Sequence, residues 1–360
     1  MKQFDLLGNC GKLVLEDNVL AVLSDADLTT VSSAIFNGGF KKVKAILNVQ
    51  VPEGYSDRRL HDDPHALIMI SSKKLGLTDN FNAMITAAKI KHFSLVTRKE
   101  GDLAVNVIAT AGCSHAESAG EEIEVQKIEG TINIIVVIDG NPAESCLVSA
   151  LATATEAKSA AIKDLDIRSR YSGDAATGTI TDSLVVATTN KGPIINLGGP
   201  ASKLGKIVGY CTRKAVKEAI LRQGESPLDR SVLDRLKERH LPLEKLASEL
   251  SKVDSLKVDE KTLAKILRNE PLFASVLMAA AKMDEDIKKE LIPSEFKNIE
   301  ALSENFSSLL SKLSCDSTKT SSVPADKEDY GSVGLSPFLK HVLISIVKNA
   351  LFKEETENLK

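Results

Sequence analysis

The chain has 360 residues, 46 basic and 49 acidic, giving a formal charge of -3, with 43% hydrophobic residues, 4% aromatic residues and no tryptophan. That length buries a substantial core and leaves room for two domains. The charge balance argues against a nucleic-acid binder, which carries a basic excess or stripe, and the scarcity of aromatic rings argues against a base-stacking platform.

KLVLE and VLAVLS are short apolar runs separated by Asp17-Asn18, a hairpin signal. Ser24 to Phe36 is mixed in character, and Asn37-Gly38-Gly39 is a turn before VKAILNV. Asn37 either makes that bend or belongs to a site. Pro52 to Gly76 holds His61, Asp62, Asp63 and His65, the one tight His/Asp cluster of the chain. With no third histidine and no His-Glu-x-x-His helix, and with Asp-Asp-Pro suited to a helix start, no metal is assigned and a helix is expected from Pro64 to Leu75. NAMITAA, KHFSLVTR and LAVNVIATAG follow as extended segments with short connections, which predicts antiparallel pairing rather than βαβ winding. Ser114 can start a short helix with Glu117 completing a capping box, or act as a nucleophile. His115 is a proton shuttle or a polar surface group. Asn133 interrupts the apolar strand GTINIIVVI, where a buried amide requires either a ligand or a structural hydrogen bond.

Ala143 to Thr188 organises the rest. It reads as a long helix, a Gly/Thr-rich loop and a strand. Cys146, Ala150, Ala154, Ala157 and Ala161 form a narrow face that lets another element come close, while Thr155, Glu156, Ser159 and Lys163 form a polar one. The loop Gly173 to Asp182 concentrates glycines, hydroxyls and carboxylates between rigid elements, where chemistry tends to sit. The glycine-rich Asn196 to Gly205 then leads into a helix ending near Arg222, and its amides either cradle an anion or are capped locally.

Gly224-Glu225-Ser226-Pro227 marks a domain boundary. The expected division is a catalytic domain at 1–224, a helical domain of unassigned role at 225–313, a Ser/Thr-rich linker at 314–336 and a closing helix at 337–360. The fold class is α+β, a mixed and largely antiparallel sheet with packed helices, plus a C-terminal all-helical extension. The closing helix is too short to span a bilayer and is expected to dock on the body of the protein or on a second copy. Five scattered cysteines (Cys10, Cys113, Cys146, Cys211 and Cys315) form no CxxC pair, and the N-terminus lacks a secretion signal's apolar core. A cytoplasmic location is therefore expected.

ATEAKSAAIKDL followed by ATGTITDSLVVA resembles the adenosylcobinamide amidohydrolase family of corrinoid (vitamin B12) salvage. NAMITAAKI, NVIATAGCSHAESAGE, GTINIIVVI and NLGGPASKLGKIVGYCTRKAVKEAI fit the same family in order. The resemblance covers roughly the first 224 residues. It implies hydrolysis of the amide joining the corrin propionyl arm to aminopropanol, giving adenosylcobyric acid. No further cofactor is needed, since the corrinoid substrate carries its own cobalt.

Amide hydrolysis requires an activated nucleophile, a stabilised oxyanion and a proton for the leaving amine. Glu156 or Asp182 is the expected general base, Thr177 and Thr179 with the Gly178 amide the oxyanion donors, and Lys158 the group orienting the carboxylates. Covalent catalysis by Thr177 or Ser114 competes with this scheme. Asn133, Ser114, His115, Asn37 and Thr86 are the candidate substrate-binding residues. Two other functions stay open, a non-catalytic corrinoid carrier and an acyltransferase with a threonine nucleophile.

Overall fold

The computed structural model describes residues 2–53, 60, 62–122, 130–224, 229–253, 256, 258–292, 301, 305, 306, 308 and 335–358. The chain divides into two compact units, Met1–Asp229 and Arg230–Lys360. His61, the residues 225–227 of the expected boundary and residues 314–334 of the expected linker lie outside the described residues.

The first unit is built on a nine-stranded sheet. β1 (Lys2–Asp5), β2 (Lys12–Glu16) and β3 (Val19–Ser32) run antiparallel, with Asp17 turning the β2–β3 hairpin at φ 47. The segment that composition left mixed is strand: β3 continues to Ser32, and an irregularity between Leu23 and Leu28 takes up the polar Ser24–Asp27 stretch. Its first half pairs with β2 and its second half with β12 (Ser183–Thr188), while β4 (Gly39–Gln50) follows it on the other side. The sheet therefore curls about β3.

The expectation of antiparallel pairing for Asn82–Ala88 is corrected here. β5 (Phe81–Thr86) pairs with β4 in parallel, because α1 (Pro64–Lys74) supplies the crossover that parallel strands need. Asp63 caps α1 by accepting from the Ala66 N–H. β6 (Ser94–Glu100) and β7 (Leu103–Gly112) do pair antiparallel, and β7 passes on to β9 (Thr131–Asp139) in the same sense. After the two-residue β10 (Asn141–Pro142), α2 (Glu144–Asp164) crosses back to bring β12 parallel to β9. The sheet is thus mixed and largely antiparallel.

Alternation along the strands sorts three layers. Ile132, Ile134 and Val136 of β9 pack outward under α2 and α3 (Lys203–Arg222), and Ile135 and Val137 pack inward with Leu20, Ile46 and Ile108. α1 covers the other flank through Leu67 and Ile68. The small-residue stripe of α2 is buried throughout, and the glycine loop exploits it: a Cβ at Gly198 would lie 2.4 Å from Cys146 O. One at Gly205 would lie 1.8 Å from Gly199 O. Close backbone approach is thus what these glycines permit. Ser202 caps α3 by accepting from Gly205 N–H at 3.0 Å.

α2 ends on an acid, the wrong charge for a helix C-terminus. Arg213 grips Asp164 through Nε at 2.8 Å and Nη2 at 2.5 Å, with Lys217 at 3.1 Å. The Arg213 bonds, then Lys217, hold Asp164 down at about 2 against its partial burial. A folded pKa below the unfolded one gives stability that is present above the ordinary aspartate value and lost as pH falls through about 2. The cluster is partly solvated, so its worth is about 1 kcal/mol. Asp164→Asn should lower the melting temperature by about 2–4 °C at neutral pH. The deficit should shrink in high salt and vanish in strong acid, as followed by circular dichroism.

The second unit is helical. α4 (Val232–Glu238) opens on a Ser231–Asp234 capping box and α6 (Glu260–Asn269) on Asp259. α5 (Leu243–Ser251), α7 (Pro271–Lys288) and α8 (Pro337–Asn358) complete the set. Phe338, Leu339, Val342, Leu343, Ile346 and Val347 of α8 lie in one apolar cluster with Leu246, Leu263 and Leu277, so this face of the closing helix is filled within its own unit. Among the described residues no helix is long and apolar enough to cross a membrane.

Candidate active site

The C-terminal half of α2, the loop before β12 and the strand ends beside them converge on one carboxylate. Asp182 accepts from Lys158 Nζ, from Thr179 Oγ1, from Thr179 N–H at 3.1 Å and from Ile132 N–H at 3.0 Å. The Lys158 and Asp182 side chains are 12% and 15% exposed. Gly178 lies directly against the pair, for a Cβ there would be 2.5 Å from Asp182 Oδ2 and 2.7 Å from Lys158 Nζ. Two short strands hold the loop, β8 (Ala116–Glu117) and β11 (Gly178–Thr179), with Gly178 opposite Glu117. Thr177 adds three ties. Its N–H donates to Glu117 O at 2.9 Å, its Oγ1 accepts from Ala119 N–H at 2.8 Å, and its carbonyl accepts from Ser159 Oγ at 3.0 Å.

Two carboxyls four residues apart are pushed in opposite directions. Burial raises the pKa of Glu117, and the Asp182 and Glu121 charges raise it further against the pull of Lys158. Burial also pushes Glu121 up, but hydrogen bonds from Ser169, Ser172 and the Ser118 N–H outweigh it and leave Glu121 lowered. His115, buried beside them, meets the Arg170 guanidinium through Nε2. A guanidinium only donates, so Nε2 is the acceptor. Arg170 N–H in turn donates to Ala116 O at 2.9 Å, which pins this corner to β8.

A profile of the adenosylcobinamide amidohydrolase family matches residues 10–227. The chain belongs to that family. It is 28% identical over 220 residues to the adenosylcobinamide amidohydrolase of Methanosarcina mazei, covering 59% of this chain and 98% of the relative. An uncharacterized protein of Methanocaldococcus jannaschii is 27% identical over 209 residues, 51% of this chain and 80% of its own. Among solved structures, the PH0078 protein from Pyrococcus horikoshii OT3 aligns at 11% identity over 57% of this chain and 76% of that one, with a TM-score of 0.29, too low to bear on the fold.

The family match stops at residue 227, just short of the end of the first unit at Asp229. Four of the segments that carry the resemblance meet at the cluster: the end of α2, the loop into β12, the stretch from β7 through β8, and the start of β9 with its Ile132 N–H.

Of the residues expected to act together, Lys158, Thr177, Gly178, Thr179 and Asp182 are brought together. Glu156 is not. It is exposed, and two residues along a helix amount to about 200° of rotation from Lys158. Asp182 already receives four donors, an arrangement that suits an anchor better than a water-activating base. Ser114 starts no helix: it is exposed in a turn leading to β8, and the proposed capping box with Glu117 does not form.

Asn133, Asn37 and Thr86 lie elsewhere. Strand alternation turns Asn133 to the inner side of β9, away from the Ile132 and Ile134 face. There it donates to Asn48 Oδ1 at 2.8 Å and to Ile85 O at 2.9 Å. Thr86 Oγ1 accepts from Ala88 N–H at 3.0 Å. Asn37 makes the turn at φ 53 and donates to Phe81 O at 2.9 Å. Glu117 and Glu121 were not singled out as acid–base candidates, although both sit in the matched segment NVIATAGCSHAESAGE. Among the described residues no group of three or more His, Cys, Asp or Glu is placed to hold a metal ion.

Proposed function

We propose that this chain hydrolyses the amide between the corrin propionyl arm and aminopropanol of adenosylcobinamide, yielding adenosylcobyric acid and free aminopropanol. What supports the reading is the family match together with a carboxyl of raised pKa at Glu117 and the Lys158–Asp182 ion pair on the matched segments. Glu117 takes a proton from water as the water oxygen attacks the carbonyl carbon. Lys158, oriented by Asp182, faces the oxyanion that develops there with its remaining N–H donors. Glu117 then returns the proton to the departing nitrogen, the C–N bond breaks, and the acyl carbon leaves as a carboxylic acid. A cytoplasmic location belongs to the same proposal and rests on the scattered cysteines.

Incubation of the full chain with adenosylcobinamide, read by mass spectrometry, should release aminopropanol and create one new carboxylate per turnover. Binding without release would make the protein a carrier. Release that requires an added amine or alcohol acceptor would make it a transferase, and an acyl adduct trapped on Thr177 would replace Glu117-activated water by a covalent route.

A further inference from the structure

The sheet register leaves a partly exposed apolar face near the cluster. Val31 of β3 pairs with Val186 of β12 on one side and with Phe40 of β4 on the other, so the three share one face. Val186 is buried under the helices and Val31 is partly buried against the same core, but Phe40, one strand farther out, is 45% exposed. α2 lies over β12 and reaches β3. At about 100° per residue, Val148, Leu151 and Thr155 line up roughly half a turn from Thr153, which faces α3 at Gly209. That line borders the β3–β4 side, and Val148 on it is 48% exposed. It runs on to Ser159, whose hydroxyl holds the Thr177 carbonyl, a length of about 16 Å at 1.5 Å per residue.

We infer that this face forms a groove that seats the flat macrocycle of the corrinoid, with Phe40 and Val148 as the apolar walls that set affinity for the ring; the inference rests on the proposed amide hydrolysis at the same site. A corrin offers broad apolar faces edged by amide arms. The groove answers with Val31 as floor, Phe40, Val148 and Leu151 as walls, and Thr155 and Lys42 at the rims. Continuity with the reacting groups selects the substrate over a protein partner. A partner seated here would cover the Thr177–Asp182 loop, whereas a ring lying along the groove brings an edge arm to it. The scissile amide hangs from such an arm.

The test compares Phe40→Ser and Val148→Ser with the unchanged chain, using Ile70→Ser on the outer face of α1 as control. Steady-state aminopropanol release gives KM and kcat, and absorbance titration with adenosylcobinamide gives Kd. Both groove variants should raise KM and Kd about tenfold, as expected from losing a buried apolar side chain, with kcat within about twofold and the control unmoved. Normal hydrolysis with unchanged KM and Kd in both variants overturns the groove and leaves the hydrolase reading intact. Weakened Kd in a protein that releases no aminopropanol keeps the groove and overturns the reaction. A dimer in sedimentation that Val148→Asp dissolves with Kd unchanged makes this face an interface between copies and overturns the inference.

Discussion

Gly178→Ala should lower turnover of adenosylcobinamide by at least about 100-fold and depress the melting temperature together with it. The backbone does not cause this loss, because Gly178 is not among the residues at positive φ and alanine can adopt its conformation. The cause is space: the new Cβ would lie 2.5 Å from Asp182 Oδ2 and 2.7 Å from Lys158 Nζ. One of those charges must move, and the pair is mostly out of water. Separating such a pair leaves charges with neither solvent nor partner, a cost of about 3–5 kcal/mol when the break is complete. Even without a full break, displacing a reacting group by about 1 Å is enough for a 100-fold loss. Gly76→Ala supplies the contrast. Gly76 has φ 70 and nothing within 4 Å of its would-be Cβ, so alanine there strains the backbone alone. That variant should lose stability and keep its kcat. Turnover and melting measured on both proteins separate the two effects, and full activity in Gly178→Ala would remove the ion pair from the chemistry.

What the sequence made legible is local. The narrow face of α2 follows from alanine spacing, and the convergence of Lys158 with the Thr177–Asp182 loop is expected from packing so many hydrogen-bonding groups between two rigid elements. The errors come from relations that a linear pattern does not carry. Ser114-x-x-Glu117 is written identically whether it caps a helix or leads from a turn into β8, and the pairing of β8 with β11 over sixty residues away decides the matter. β5 looked like the partner of its sequence neighbours, yet its true neighbour β4 comes from before α1. Glu156 and Lys158 were both expected in one catalytic cluster, but a two-residue step turns them away from each other. Alternation was available to place Asn133 opposite Ile132, and it reads as an inner-face amide once Ile132 and Ile134 are known to pack under α2 and α3. The pKa split between Glu117 and Glu121 has no trace in their spacing. It arises from which hydroxyls and charges the fold sets beside each.

Glu117→Gln should cut kcat by about 10²–10⁴, the range supplied by a positioned proton carrier, while leaving the protein as stable as before at neutral pH or more so. Both halves follow from the raised pKa of Glu117. A carboxyl whose folded pKa lies above its unfolded value contributes stability that is fully present below the ordinary glutamate range and lost as pH rises through the folded value. Above that window the ionised Glu117, pressed by the Asp182 and Glu121 charges, weighs against folding, and glutamine removes the penalty without changing shape. The sign is opposite to that of Asp164, whose neutral variant loses stability at the same pH. The kinetic half is read from kcat/KM against pH. As the base for water, Glu117 must be ionised, so the unchanged enzyme should show an acid limb displaced upward from the ordinary glutamate value, and Glu117→Gln should lose that limb with its activity. Glu121→Gln should leave the limb's position near where it was, since Glu121 is held low by serine hydrogen bonds. Its removal withdraws only one of the smaller charges acting on Glu117. A Glu117→Gln enzyme with wild-type kcat and an unshifted acid limb would pass the role of proton carrier to another group on the Thr177–Asp182 loop.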